Sequence, residues 1–146
     1  MNYYDQHVHS SFSFDSQTEL SDYLKHADGC FVTTEHVDLE NSANHFMDSW
    51  MDYDRYSLYL ENLQKNTDIR LLKGVEIGWL RKHHGRLMAW LQCKQFDIIL
   101  LSIHQNGIFD YMDEEAKKHD IIYILRSYFQ QMLDALRSGI PANVLS

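Results

Sequence analysis

Short apolar runs and longer stretches of helical periodicity alternate along this chain. β-Branched runs, such as residues 30–34, predict strands. Apolar positions three or four residues apart, such as Tyr56, Leu60 and Leu63, predict helices. The strands are predicted at 3–9, 30–34, 69–77 and 96–103, with a fifth beginning at 142–145. The helices are predicted at 18–27, 51–65, 85–94 and 121–138.

This alternation predicts an α/β fold in which a mainly parallel sheet is covered by helices. The run at 96–103 is apolar nearly throughout, as expected of a strand with both faces covered. No internal repeat, low-complexity tract or linker interrupts the pattern, so we expect one domain over residues 1–146. An open doubly wound sheet and a barrel both fit the alternation alone.

The composition restricts the class of protein. Hydrophobic residues make up 45% of the chain and aromatic residues 13%, which excludes a disordered protein. The net charge of -8 argues against a general nucleic-acid binder, although bound cations would still let the protein take a small phosphorylated substrate. Cys30 and Cys93 stand outside any Cys-x-x-Cys pattern, and no apolar run approaches the ~20 residues of a membrane helix. With no signal-peptide pattern, the expected location is the cytoplasm.

Metal-binding side chains cluster at the ends of the predicted strands. His7 and His9 are separated by one residue, so both imidazoles face the same side of an extended strand and can reach one metal ion. His36 follows the second strand, Glu76 ends the third and His104 ends the fourth. In a β/α barrel the carboxyl ends of the strands meet around one site, whereas an open sheet concentrates its ligands at one switch point. Ligands from four successive strands therefore favour a barrel.

Four ordered segments carry a resemblance to a known family. Residues 5–16 read DQHVHSSFSFDS, 33–38 TTEHVD, 74–78 GVEIG and 101–105 LSIHQ. Together they resemble the motifs of the polymerase-and-histidinol-phosphatase (PHP) superfamily, and their order and spacing are most similar to those of the monofunctional histidinol-phosphate phosphatases. The resemblance implies that the chain is the N-terminal portion of a distorted PHP-type (β/α) barrel, with parallel strands and outer helices. It also implies up to three divalent metal ions, which would be zinc, manganese or iron.

The resemblance further implies a set of ligands. The implied metal ligands are His7, His9, Asp15, His36, Glu76 and His104. His7 and His9 would share one ion with Glu76. Glu76 would bridge to a second ion, which His104 also binds, and these two residues are the implied catalytic pair. The remaining two ligands would hold the third ion.

The implied reaction is the hydrolysis of a phosphomonoester by a metal-activated water, without a covalent nucleophile. Its implied substrate is L-histidinol phosphate, which places the enzyme in histidine biosynthesis. Two alternatives stay open, because the motifs report the metals rather than the leaving group. The first is another PHP-type phosphoesterase acting on a phosphodiester or a phosphotyrosine. The second is a catalytically inactive metal-binding fragment.

The family pattern also predicts ligands that this sequence lacks. The resemblance implies a histidine after the fifth strand and a later Asp-x-His, yet the sequence reaches Ser146 without either. We therefore expect a domain truncated at its C-terminus, with about four β/α units, since a β/α barrel uses about 250 residues. Its unpaired strand edges would make it marginally stable or cause it to self-associate.

Some polar residues near the motifs have two interpretations. Asp5 could orient a ligating imidazole or end a turn. Ser10 and Ser13 are expected to turn the loop rather than to act as nucleophiles. Glu35 could be a ligand, but His36 fills that role in the family pattern, and Glu35 would face the opposite side of a continuing strand.

A basic stretch follows the third predicted strand. Arg81, His83 and His84 could contact the phosphate of a substrate from a loop. A solvated loop that leads into the next helix is the favoured interpretation of this stretch.

Overall fold

The computed structural model describes residues 6–146, which form a parallel sheet with helices packed against it. The strands, in sheet order, are β1 (Cys30–Asp38), β2 (Arg70–Gly78), β3 (Ile98–Ser102) and β4 (Val144–Leu145). The helices are α1 (Leu20–Tyr23), α2 (Tyr53–Gln64), α3 (His84–Leu91) and α4 (Ile121–Leu136). Short 3-10 turns lie at Ser42–Asn44, Arg81–His83 and Ala116–Lys118. The strand and helix alternation read from the sequence is therefore present.

The first predicted strand is only partly comparable with the structure. Of residues 3–9, residues 3–5 lie outside the described part, and residues 6–9 carry no regular strand assignment. Val8 nevertheless accepts a hydrogen bond from the Thr34 amide at 2.9 Å and donates one from its own amide to the Thr34 hydroxyl at 3.1 Å. This segment thus follows the edge of β1 without forming a full strand.

The helix predicted at 18–27 is longer than the observed α1. The carbonyl of Thr18, the predicted cap, accepts a hydrogen bond from the Ser11 amide at 2.9 Å, and the Glu19 side chain makes no capping bond. Only Leu20 of α1 is buried. Because a short helix depends on tertiary packing, one buried anchor stabilises little more than one turn.

One face of the sheet forms the apolar core. Side chains alternate along each strand, so every second residue points toward the helices. The strand residues in this apolar cluster are Phe31, Val37, Val75, Ile77 and Leu101. They pack with Tyr56 and Leu60 of α2 and with Leu87 and Leu91 of α3, all of them buried. The helices therefore cover this face and leave the opposite face for polar side chains.

The register of the parallel strands aligns polar positions on the opposite face. His36 pairs with Glu76, and Asp38 pairs with Gly78. Gly78 in turn pairs with Ser102. Because paired residues of neighbouring strands lie on the same face, the carboxyl ends of β1, β2 and β3 bring these side chains together.

The loops beyond these strand ends are tied to each other. The Asn41 side chain donates to Asp110 at 3.0 Å, and the Ser42 hydroxyl donates to Asp113 at 2.6 Å. The Gln105 side chain donates to the Leu39 carbonyl at 2.9 Å. These bonds join the loop after β1 to the loop after β3. They form a hydrogen-bonded rim at the carboxyl edge of the sheet.

One side of α4 is apolar and exposed. Ile122, Leu125, Phe129 and Leu133 are each between 39% and 58% exposed. Among the described residues, no helix combines the length and the apolar character needed to cross a bilayer. Self-association, the extent of the domain and the cytoplasmic location stay predictions.

Tyr56 is buried and hydrogen-bonded to two strands, so its replacement should lower the free energy of unfolding. Its hydroxyl donates to the carbonyls of Thr33 and Gly74, at 3.1 and 3.2 Å. Tyr56→Phe keeps the ring but leaves these carbonyls without this donor, so we expect unfolding free energy to fall by about 1–2 kcal/mol. Urea denaturation followed by circular dichroism measures this loss. An unchanged midpoint would show that the hydroxyl does not stabilise the pair of strands.

Candidate metal centre

Glu76 lies at the middle of a cluster of imidazoles at the carboxyl ends of the strands. Its Oε2 is 3.1 Å from His7 Nε2, 3.3 Å from His9 Nε2 and 3.1 Å from His36 Nδ1. Its other oxygen, Oε1, is 3.1 Å from His104 Nε2. The side chain is 3% exposed. A nearly buried carboxylate thus faces four imidazoles from three separate parts of the chain.

Asp15 brings a second carboxylate to the edge of the cluster. Its Oδ2 lies 3.3 Å from His36 Nε2, so both ring nitrogens of His36 face carboxylate oxygens. The His36 ring stacks on that of His9, with the centroids 4.1 Å apart and the planes 1° from parallel. Asp15 is 42% exposed and His7 is 41% exposed, so the cluster reaches solvent at both residues.

The predicted ligands form three overlapping groups among the described residues. The groups are His7 with His9 and Glu76, His9 with Asp15 and His36, and His36 with Glu76 and His104. Within each group the candidate ligand atoms lie within 4.8 Å of one another. The structure therefore brings the six predicted residues together, and their role as metal ligands stays a prediction.

Buried polar atoms without hydrogen bonds test whether this cluster fits a metal. His9 Nδ1 and Asp38 Oδ1 are buried without a hydrogen-bond partner. His36 Nδ1 and Glu76 Oε2 face each other at 3.1 Å, also without a hydrogen bond. Leaving buried polar atoms unsatisfied is costly, so such a concentration is typical of a site built for a ligand. Imidazole nitrogens and carboxylate oxygens suit zinc, manganese and iron.

Asp38 belongs to the site although the sequence analysis did not single it out. Its side chain is 1% exposed, and its Oδ2 lies 2.6 Å from His104 Nδ1. Asp38 pairs with Gly78 of β2, and the carboxylate fits there because glycine has no side chain. A Cβ at Gly78 would lie 2.0 Å from Asp38 Oδ1. Two signals could have found Asp38. It lies two residues after His36, on the same face of a strand, and a glycine in the next strand stands opposite it.

Without metal, protons and hydrogen bonds hold the carboxylates of the cluster. Burial opposes the charge of Glu76, but the hydrogen bond with His104 and the close imidazole of His7 hold the pKa of its carboxyl well below the usual range. Burial also opposes the charge of His104, yet hydrogen bonds to Asp38 and Glu76 raise the pKa of that imidazole to about 10. His104 is therefore charged at neutral pH in the metal-free protein, and its two ring N–H groups donate to Asp38 and Glu76.

His9 differs from His104 in its charge state. Burial, followed by the charge of His36, lowers the pKa of His9 below its usual value, and these effects outweigh the attraction of Glu76 and Asp15. A neutral imidazole carries the lone pair that a metal needs. His9 is therefore prepared for metal binding at neutral pH.

Glu35 does not join the cluster. It is fully buried and hydrogen-bonded to Ser10 and Ser13, so its carboxylate is on the other side of β1 from His36, as the alternation predicted. The two serines do order the loop. Asp5, the candidate for orienting an imidazole, lies outside the described residues.

The basic stretch after β2 is mostly engaged with neighbouring residues. Arg81 pairs with Asp134 of α4 at 2.7 Å, and His84 Nδ1 accepts a hydrogen bond from the Trp79 indole at 3.4 Å. His83 is buried rather than solvated, at 3% exposure. Contact of these residues with a phosphate stays a prediction, and these contacts argue against it.

Comparison with known proteins identifies the family and the fold. The family model for the PHP domain matches residues 5–144. A crystal structure of histidinol phosphate phosphatase from Lactococcus lactis subsp. lactis Il1403, complexed with zinc, L-histidinol and phosphate, matches 99% of this chain with a TM-score of 0.87 and 22% identity. This chain covers 57% of that protein. No curated protein matches the chain. The predicted family resemblance and the predicted fold, part of a PHP-type (β/α) barrel, are confirmed.

Asp38→Asn should weaken metal binding without unfolding the protein. Asparagine can still accept a hydrogen bond from His104 Nδ1, but it removes the negative charge that makes this imidazole a stronger ligand. We expect affinity for Zn²⁺ to fall about 10–100-fold, the usual effect of losing a residue that orients a ligand. Competition with a chromophoric chelator measures the affinity.

Asp113→Asn provides a matched control for that variant. Asp113 accepts a hydrogen bond from Ser42 on the rim and belongs to none of the ligand groups. Its replacement should leave zinc affinity unchanged. Equal affinities for wild type and Asp38→Asn would show that Asp38 does not support the centre.

Metal binding should release a proton from His104. Because the pKa of His104 is about 10 in the metal-free protein, this residue is protonated at pH 8, and an ion can bind its Nε2 only after the proton has left. We expect about one proton per ion bound at this position, and an apparent affinity that rises with pH below 10. Calorimetric titrations in buffers of different ionisation enthalpy measure this proton. A binding enthalpy independent of the buffer would contradict the protonated state.

Proposed function

Because this chain belongs to the PHP domain family, we propose that it provides a multinuclear metal centre that hydrolyses phosphomonoesters. The observation that carries the proposal is the sharing of ligands. Glu76 belongs to two of the three groups and His36 to two, so the ions they hold would be neighbours. Neighbouring divalent ions are the arrangement that phosphoester hydrolysis uses to bind the ester and stabilise its charge.

L-histidinol phosphate is the substrate we propose. The support is the likeness in fold to the Lactococcus lactis protein, which is described as a histidinol phosphate phosphatase complexed with L-histidinol and phosphate. A small phosphorylated substrate also agrees with the acidic chain, since bound cations would reverse the potential locally. The reaction would then belong to histidine biosynthesis.

Glu76 and His104 would have the central roles in this chemistry. Oε2 of Glu76 lies beside His7 and His9, and Oε1 lies beside His104, so one carboxylate can serve two cation positions. The Ser102 hydroxyl donates to Oε1 at 2.6 Å and so restricts rotation of the carboxylate. Zinc, manganese or iron ions bound there would supply positive charge to the phosphate and lower the pKa of a water molecule.

The exposed side of the cluster would receive the ester. Asp15 is 42% exposed and His7 is 41% exposed, whereas Glu76 is nearly buried, so the cluster opens to solvent at these two residues. Asp15 belongs to the group with His9 and His36. Phe14 lies beside this group, with its ring centroid 5.3 Å from that of His36, and is 38% exposed. An apolar ring there could pack against the part of the substrate that is not phosphate.

Phosphate release from a panel of esters tests this function. The panel contains L-histidinol phosphate, a phosphotyrosine peptide and a phosphodiester, each assayed with the purified protein in zinc, manganese or iron(II). We expect metal-dependent release from L-histidinol phosphate. Glu76→Gln should lower the rate about 100-fold or more, because losing about 3 kcal/mol of charge stabilisation costs that factor.

Two other outcomes of this assay would contradict the proposed function. Preferential hydrolysis of the phosphodiester or the phosphotyrosine peptide would replace the proposed substrate but retain a phosphoesterase. Absence of turnover in a protein that binds metal and shows a folded spectrum would support the inactive metal-binding alternative. The same assay on a chain extended through a complete barrel would then test whether further ligands are required.

A further inference from the structure

Glu35 is a fully buried carboxylate that the proposed chemistry does not use. It accepts hydrogen bonds from the Ser10 amide at 3.0 Å and the Ser10 hydroxyl at 2.6 Å. The Ser13 hydroxyl donates to it at 2.6 Å, and the Thr33 hydroxyl donates as well. Four donors therefore converge on two carboxylate oxygens. An arrangement made only of donors matches an acceptor-only group and offsets the cost of burying it.

Three of these four donors belong to the segment that joins two proposed metal ligands. Ser10 directly follows His9, and Ser13 precedes Asp15 by two residues. The residues between the two ligands, 10–14, include no helix or strand residue. Bonds to Glu35 therefore help to decide where both ligands lie.

Ser13 extends this connection to a ligand on β1. While its hydroxyl donates to Glu35, its oxygen accepts a hydrogen bond from the His36 amide at 2.9 Å. The loop is thus fixed to the backbone of His36 itself. His9, Asp15 and His36, which form one of the three ligand groups, are all within two residues of this network.

The loop has a second attachment that does not depend on Glu35. The Phe12 ring packs on the rings of Tyr56 and Tyr59 of α2, at centroid distances of 5.4 and 5.5 Å. This packing holds the loop against the helix but makes no polar bond to β1. Loss of the Glu35 bonds should therefore shift the ligands without unfolding the domain.

We propose that Glu35 is a positioning residue that sets occupancy of the metal position formed by His9, Asp15 and His36. The proposal rests on the metal centre described above. The position bounded by His36, Glu76 and His104 is the internal comparison, because its ligands come from β1, β2 and the segment after β3, and none comes from the loop. The third position, bounded by His7, His9 and Glu76, shares only His9 with the loop segment.

Glu35→Gln tests this role with little change in size. The amide places an N–H group among donors, so at least one of the four hydrogen bonds is lost. In zinc competition titrations we expect the step at His9, Asp15 and His36 to weaken about 10–100-fold, as for other residues that orient ligands. The step at His36, Glu76 and His104 should change less than about threefold. Cobalt(II) absorption provides a spectroscopic readout, and the variant should lose the bands of one ion.

Ser13→Ala tests the same connection with a smaller disturbance. It removes one donor to Glu35 and the acceptor of the His36 amide, so the same step should weaken in the same direction. In the double variant with Glu35→Gln, the loss of zinc-binding free energy should be smaller than the sum of the two single losses, because both changes break one network. This variant also provides the measurement if Glu35→Gln fails to fold.

Tyr56→Phe is the matched control for a general loss of stability. Tyr56 is as deeply buried and supports the same strand, and its hydroxyl bonds the carbonyls of Thr33 and Gly74. Phenylalanine keeps the ring on which Phe12 packs and removes none of the donors to Glu35. We expect a lower urea midpoint with unchanged zinc stoichiometry and cobalt spectrum.

The contrary outcomes separate this proposal from the one on which it rests. Wild-type affinity in both Glu35→Gln and Ser13→Ala, or an equal loss in Tyr56→Phe, would overturn the role of Glu35 and leave the metal centre in place. Absence of metal binding in the wild type would overturn both. These titrations need no substrate, so a failed phosphatase assay does not alter their meaning.

Discussion

The in-register pairing of β1 with β2 is the constraint on which the site depends. It places His36 beside Glu76 and Asp38 opposite Gly78 on one face of the sheet. A slip of one residue would send His36 into the apolar core and bring a hydrophobic side chain to the site. The apolar residues between the ligands therefore do more than fill volume. By fixing which residues face the helices, they also fix which residues face the proposed metals.

The site brings two carboxylates close together, and their negative charges need nearby positive charge. Asp38 and Glu76 are both nearly buried, and the basic side chains nearest to them are imidazoles rather than lysine or arginine. In the metal-free state the positive charge of protonated His104 offsets these negative charges, because its Nδ1–H donates to Asp38 and its Nε2–H donates to Glu76. Metal ions would take over part of this role. Occupancy of the proposed centre would therefore be coupled to the protonation of His104, since a histidine must lose its proton before it can bind a metal.

Much of the fold was predictable because its apolar periodicity is simple, but the end of β1 was not. The sequence prediction ended this strand at residue 34, whereas the structure continues it to Asp38. Three of its last four residues, Glu35, His36 and Asp38, are polar, so the usual β-branched signal fails where the candidate site begins. The proposed ligands could be predicted from recurring histidines and carboxylates. The roles of Glu35 and Asp38 could not, since each depends on a partner distant in sequence, at Ser10 or His104.

The rim that ties the loop after β1 to the loop after β3 has a kinetic consequence. Asn41 with Asp110, and Ser42 with Asp113, connect segments about 70 residues apart in sequence and on either side of β2. These bonds oppose separate movement of either loop, because one loop could open alone only by breaking them. A ligand of the proposed centre would then enter by diffusion into a standing opening rather than after a slow gating motion. Discrimination among the proposed ester substrates would come from the shape of that opening.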